Sequence, residues 1–578
     1  MTRIKLIPAV VLYTLLACAL PGLVLPGGLW ESSPLALATP ATAELVLRNG
    51  RVYTVAPGKP WAEAVAMRGG VIVAVGSDAE IAPYIGPRTV QVDAGGRLVL
   101  PGLIDSHIHF LSGSLSLTQL RLEGAGTIAE IQQRLRDYAA SHPDGWITGR
   151  GWVYSTFGAY GLPDKKQLDE IVPDRPVLLE GYDGHTYWAN SQALAAAGIT
   201  RNTPDPPNGA IVHDATGEPT GALKEDAAAL VEKFAPQPSR EAKLAALRAG
   251  LAEAARYGLT SVVNATGGIE EMELYSELER RGQLTLRTYT AMPLRAGATE
   301  KDFMAYERAR QRFRTAFVRG GLVKGFVDGV IEAHTAAMLE PYSDDPSLSG
   351  HLNYEPAELK RLVMELDRRG LQVVLHAIGD AGVRTALDAY QAALDANQKP
   401  DRRFRIEHIE TVSAVDIPRF ARLGVIAGYQ PLHANPDDNL FRIWARNAGP
   451  ERVRRAFAWR EVSQAGGRLA LGSDWPVVTQ NPFAGIQAAL TRQTFDGQPP
   501  GGWTTHQTLT LEQAIAGYTT GGAHAQRREK ELGSIEVGKQ ADLVVLTANL
   551  FVIAPQQIHS VRAHITVVAG KVVHRAAQ

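Results

Sequence analysis

The sequence predicts an α/β protein: a (β/α)8 TIM barrel, a small β-sandwich domain formed from both chain ends, and an insertion after the first barrel strand. Three observations predict it. Eight apolar strand candidates alternate with helical patterns, as a parallel sheet requires. Side chains able to hold a metal recur at the C-terminal ends of several of those strands, the face on which barrel active sites sit. Short apolar strands with turn residues between them occupy both ends, and chain termini often lie close together.

The chain has 578 residues, enough for a large barrel and a smaller domain. It is 45% hydrophobic and 21% charged, ordinary for a globular protein. Lys+Arg is 59 and Asp+Glu is 60, so the net charge is -1 and nothing points to a nucleic-acid partner. The single cysteine, Cys18, excludes an intrachain disulfide and a cysteine-built metal site.

Arg3 and Lys5 precede a mostly apolar run from Leu6 to Leu25, and small residues follow at Ala36, Ala38, Ala41 and Ala43. This order predicts an export signal within residues 1–43, cleaved after Ala38 or Ala43, and an exported, periplasmic or extracytoplasmic protein. Leu15-Leu16-Ala17-Cys18 is similar to a bacterial lipoprotein cleavage site, so lipid attachment through Cys18 stays open. So does an uncleaved membrane anchor, because the run has roughly the length of a bilayer span, although Pro8, Pro21 and Pro26-Gly27-Gly28 weaken that reading.

Leu45-Val46-Leu47, Arg51–Val55 and Val71–Val75 run apolar or alternate, with Asn49-Gly50, Pro57-Gly58 and Gly69-Gly70 as turns. Leu543–Leu546 and Ile565–Val573 have the same character. Residues 44–99 and 530–578 are therefore expected to build the sandwich domain, and residues 100–529 the barrel. The barrel candidates are Leu98–Asp105, Leu259–Thr266, Thr285–Met292, Leu322–Asp328, Leu371–His376, Phe404–His408, Val425–Gln430 and Leu469–Asp474. Helical patterns such as Arg240–Tyr257, Pro356–Arg369 and Ala381–Asn397 lie between them. The interval of about 111–240 is too long for a loop and is read as an insertion over the barrel mouth. An open doubly wound sheet is the alternative architecture; the residues at the strand ends favour the barrel.

Asp105-Ser106-His107-Ile108-His109 follows the first strand. Strand alternation points residues two apart the same way, so His107 and His109 can aim two imidazoles at one point, and histidine is the commonest metal ligand. Lys324 lies in the fourth strand, His376 ends the fifth, His408 the sixth and Asp474 the eighth. Each alone is an ordinary strand-end residue. Buried together without a metal, they would leave several polar groups needing partners.

RNGRVYTV, LVLPGLIDSHIHF, DGHTYWANSQAL, HAIGD, IEH, GSDWPV and GSIEVGKQADLVVL make the chain resemble the amidohydrolase superfamily, in particular its YtcJ-like and N-substituted formamide deformylase subfamily. The resemblance implies two divalent metal ions. Zinc fits the histidine and carboxylate set, with iron, manganese and cobalt left open. It further implies that His107 and His109 bind the more buried ion, shared with Asp474, and that His376 and His408 bind the second. Lys324 would be N-carboxylated by carbon dioxide and bridge both. A buried lysine shifts its pKa readily, and cations nearby favour the resulting anion. After Gly151-Trp152 the chain departs from the subfamily pattern, with Val153-Tyr154-Ser155.

The expected function is metal-dependent hydrolysis of a non-peptide C–N bond, as in an N-acyl or N-formyl amine. Two metals sharing a water would bring its pKa towards neutrality. Asp474 is the expected general base, returning the proton to the leaving amine. His185, in Asp183-Gly184-His185, is the candidate contact for the carbonyl or oxyanion, with a structural turn histidine as its alternative. Trp152, Tyr154, Asp183, His185 and Trp475 are the candidate substrate contacts, with Tyr182 and Trp188 as further candidate walls. Asp328 either supports the site or faces solvent, and His351, His433, His506 and His524 are read as structural. Two alternatives remain: the same fold acting on a cyclic amide, ester or peptide-like bond, and an exported binding protein without turnover. The expected partner is a small-molecule substrate, with a homodimer left open.

Overall fold

The computed structural model describes residues 41–577, the side chains of residues 159 and 160 excepted. Nearly all of the expected export segment, including Cys18 and the apolar run, lies outside the described residues. Among the described residues no helix is long and apolar enough to cross a membrane.

Eight strands form the central sheet in sequence order. They are β1 (Leu103–Ile108), β2 (Leu259–Asn264), β3 (Arg287–Pro293), β4 (Val318–Phe326), β5 (Gln372–Ala377), β6 (Arg405–His408), β7 (Ile426–Tyr429) and β8 (Arg468–Leu471). Every neighbouring pair is parallel. Their side chains are buried almost without alternation, as in a sheet covered on both faces. The covering helices follow the expected rhythm. Arg240–Arg256 precedes β2 and is capped by Ser239, whose hydroxyl accepts from Ala242 N. Pro356–Arg368 begins on a proline, tolerated there because the first helical N–H has no partner to lose. It buries Leu359, Leu362, Val363 and Leu366, one stripe at helical spacing, beside Val383, Ala386 and Leu387 of the helix Asp380–Asn397.

All eight expected strands are present, with one boundary corrected. Leu98–Asp105 is not one strand: Leu98–Pro101 belongs to a second sheet and β1 starts at Leu103. Gly102 divides them. A side chain there would sit on Thr260, and its N–H is taken by Asp542 O at 2.8 Å. The barrel is nearly closed. No strand ladder joins β8 to β1; instead Asp474 N donates to His107 O at 2.7 Å and His109 N to Trp475 O at 2.8 Å. The approach demands glycine at 472, since a Cβ there would lie 2.5 Å from His107 N.

Two further sheets pack face to face. One is ordered Val71–Gly76, Ala64–Arg68, Leu45–Arg48, Val90–Asp93; the other Lys571–Arg575, Ala563–Val568, Leu543–Leu546, Leu98–Pro101, Arg51–Tyr53, Trp61–Ala62. Leu45, Leu47, Val65 and Met67 from the first share a core with Val99, Leu543, Val545 and Ile565 from the second. A buried, two-pronged ion pair ties this unit to the barrel. Arg287, opening β3, donates from Nε to Asp542 Oδ2 at 2.7 Å and from Nη2 to Asp542 Oδ1 at 3.0 Å. The stretch between β1 and β2 builds a six-stranded sheet of its own, from Leu120–Arg121 to Gly209–His213, and reaches the barrel rim through Lys224 Nζ to Ala333 O at 2.9 Å.

Replacing Asp542 by Ala leaves the Arg287 guanidinium buried without its counter-charge. The substitution is expected to destabilise the protein by about 3 kcal/mol, read as a lower urea midpoint with an unchanged slope.

Candidate metal centre and substrate cavity

His107 sits in β1 with its side chain pointing into the barrel, and His109 lies one step past the strand end. Asp105, two residues before His107, is fully enclosed and braces the seam: its Oδ1 accepts from His107 N at 3.1 Å and Ser473 N at 3.0 Å. Each histidine is held by its Nδ1. His107 Nδ1 donates to Glu407 Oε2 at 2.7 Å, and His109 Nδ1 pairs with Thr266 Oγ1 at 2.6 Å. A carboxylate only accepts, so Glu407 fixes the His107 tautomer and leaves the Nε2 lone pair facing the centre. Burial opposes the charge on Glu407, but Arg405 and His107 hold it down at about 2.

Asp474 meets both rings. Its Oδ1 is 2.9 Å from His109 Nε2 and 3.3 Å from His107 Nε2, yet this oxygen is buried and makes no hydrogen bond. Side-chain donor atoms of His107, His109 and Asp474 therefore crowd one point, an arrangement that suits a cation. Their ligand atoms lie within 4.8 Å of one another. Burial works against ionising Asp474 as well, but the neighbouring His107 and His109 hold it well below the usual carboxylate range.

The other expected ligands converge on the same point. Lys324 is buried in β4 with Nζ 3.0 Å from His107 Nε2, and burial pushes its pKa down to about 8. The lowered pKa raises the share of neutral amine, the form that reacts with carbon dioxide. The rings of His376 and His408 are 4.5 Å apart, and burial pushes both well below the usual histidine range. His408 has φ of 73°. That left-handed turn lets it and the adjacent Glu407 serve the same centre, which strand alternation forbids. Asp328 does not face solvent: its carboxylate accepts from the backbone of Ala337, Ile378 and Gly379, clamping the turn that carries His376.

The centre opens into a cavity of about 1200 Å³ between the barrel ends and the inserted sheet. Tyr182, Asp183 and His185 line it. His185 is 5.4 Å from the His376 ring, centre to centre, and its Nδ1 meets Glu225 Oε2 at 2.8 Å. Burial acts to lower its pKa, but Glu225 outweighs this and raises it to about 9. Glu180, Asp183, Glu225, Glu332, Glu410 and Asp437 make the wall acidic, against Arg150 and Arg295.

Three expected substrate contacts do not reach the cavity. Trp152 and Tyr154 are fully buried in the core of the inserted sheet, with Trp188 beside them. Trp152 Nε1 donates to Leu179 O at 3.1 Å. Tyr154 acts at one remove, its hydroxyl donating to Asp183 Oδ2 at 2.8 Å. Trp475 packs over Gly113, edge-on to Phe110. Large aromatic side chains bury so much apolar area that core positions compete strongly for them. Conversely, Thr266, Glu225, Glu407 and Glu410 escape the sequence pattern. Only Glu407 and Glu410, flanking His408 and Ile409, carried a local signal.

Thr266→Val keeps shape but frees the His109 ring. It is expected to weaken metal binding by about 10–100-fold while leaving the thermal midpoint of the metal-free protein unchanged, as measured by zinc titration against a competing chelator.

The comparisons with known proteins agree with this geometry. A model of the amidohydrolase family matches residues 91–574. The chain is 32% identical to the putative amidohydrolase YtcJ of Bacillus subtilis (strain 168), over 92% of this chain and 99% of that one. It is 29% identical to the N-substituted formamide deformylase of Arthrobacter pascens, over 87% and 93%. Among solved structures, an uncharacterised metal-dependent hydrolase from Pyrococcus horikoshii OT3 superposes with a TM-score of 0.70 at 25% identity, covering 88% of this chain and 99% of that one. A metal-ligand constellation at the mouth of a barrel, matched by a family model across most of the chain, settles the assignment: the protein belongs to the amidohydrolase family and is a metal-dependent hydrolase of carbon–nitrogen bonds.

Proposed function

We propose that the protein hydrolyses the amide bond of an N-acyl or N-formyl amine. The observation that carries this reading is the convergence of His107, His109 and Asp474, with ligand atoms within 4.8 Å of one another, at a cavity large enough for a small molecule. The name of the Arthrobacter relative, an N-substituted formamide deformylase, supports the formyl case. His107, His109 and Asp474 would hold one divalent ion and His376 and His408 a second, and Lys324, once carboxylated, would add an anionic oxygen ligand to the centre. Bound there, the ions supply an activated water at neutral pH and polarise the carbonyl.

The chain's own groups do the rest. Asp474 takes the proton of the attacking water and returns it to the nitrogen as the C–N bond breaks, so an acid and an amine leave. His185, held by Glu225 and lining the cavity, donates to the oxygen that becomes negative at the tetrahedral stage. Asp183 steadies the His185 loop, accepting from His185 N at 3.0 Å. The acidic outer wall favours an amine portion that carries positive charge, since a cation relieves the repulsion among carboxylates.

Purified protein is expected to hold about two divalent ions per chain and to release amine from N-formyl amines. Asp474→Asn should lower kcat by about 10²–10⁴-fold, and His185→Gln should lower kcat with metal content unchanged. Substrate that still binds the Asp474→Asn protein, with no turnover by the parent on any amide, ester or lactam, would leave only a binding protein.

A further inference from the structure

His433 lies outside the expected strand-end ligands, on the short turn Pro431–Ala434 after β7. Its Nε2 is buried with no hydrogen-bond partner and points at Asp474 Oδ2, 3.7 Å away. Its Nδ1 faces Glu410 Oε1, also at 3.7 Å. Glu410 is itself fixed: it is 6% exposed, and its Oε2 accepts from Trp444 Nε1 at 2.6 Å. The His433 ring stacks on that of His408 at 5.7 Å, nearly parallel.

This repeats the construction of His107, where one ring nitrogen turns to a buried carboxylate and the other turns inward. Metal-bound histidines are characteristically oriented this way. The two oxygens of Asp474 also divide between two groups. Oδ1 serves His107 and His109. Oδ2 faces His433, and His408 Nδ1 at 3.9 Å, itself buried without a partner. Two atoms each about 2.1 Å from one zinc can be no more than about 4.2 Å apart, and both separations from Oδ2 fall inside that limit. Ligand atoms of His408, His433 and Asp474 lie within 4.8 Å of one another, and His376 donates from Nε2 to Gly329 O at 3.2 Å, which leaves its Nδ1 as the ligand atom.

We infer that His433 is a ligand of the second metal, joining His376, His408 and Asp474 Oδ2 in a site that Glu410 orients. The inference rests on the two-metal reading above, and its test separates the two. Zinc bound per chain is measured by equilibrium dialysis against chelator-buffered zinc followed by elemental mass spectrometry, for the parent, His433→Gln and Glu410→Gln. Circular dichroism of each metal-free protein checks the fold. The parent is expected to bind two ions and His433→Gln one. Glu410→Gln should bind two, the weaker of them about 10–100-fold more loosely. Two ions held at parental affinity by both variants would overturn the inference and leave the two-metal reading intact. One ion in the parent would overturn both.

Discussion

The seam between the first and last barrel strands is the constraint on which the site depends. β8 returns beside β1 without completing a ladder, and the closure is made by backbone bonds from Asp474 to His107 and from His109 to Trp475. The residues that close the barrel are thus the residues that present ligand atoms. The cost is a point where lone pairs meet a carboxylate in a buried place. Burial alone would make that arrangement unstable, and a bound cation reverses its sign.

Around the seam, four imidazoles have a holder: Glu407 for His107, Thr266 for His109, Glu225 for His185 and Glu410 for His433. The holders come from different elements, so the site is oriented by the whole barrel mouth and not by one loop. Holding matters because a free ring samples rotamers, and ordering it must be offset by the ligand's binding energy. A ring already placed by a buried carboxylate leaves more of that energy for affinity.

The inserted sheet does a different job. Its own aromatic core makes it rigid, and its rim hangs Tyr182, Asp183 and His185 over the centre. Tyr154 and Tyr182 link that core to the carboxylates of Asp183 and Glu332 through their hydroxyls. The cavity is therefore roofed by a separate layer whose shape can vary without disturbing the metal ligands below, which suits one reaction type served to different substrates.

The barrel was legible in the sequence because its strands are covered on both faces and so read as apolar runs between helical stripes. The clustering of these side chains was legible because strand ends of a barrel converge on one mouth, which makes His107, His109, Lys324, His376, His408 and Asp474 neighbours without any contact being known. By itself, then, the sequence determined the architecture and the residue types at the centre. It could not say that Gly102 hands Leu98–Pro101 to another sheet, nor that Trp152, Tyr154 and Trp475 bury themselves, since aromatic residues serve cores and pockets alike. It read His433 as structural and was silent on most of the holders, whose partners are distant in the chain, while His408 joins the adjacent Glu407 at the centre only through its left-handed backbone. Those pairings were decided by tertiary structure, because a hydrogen bond a few ångströms long is specified only once two separate elements have packed.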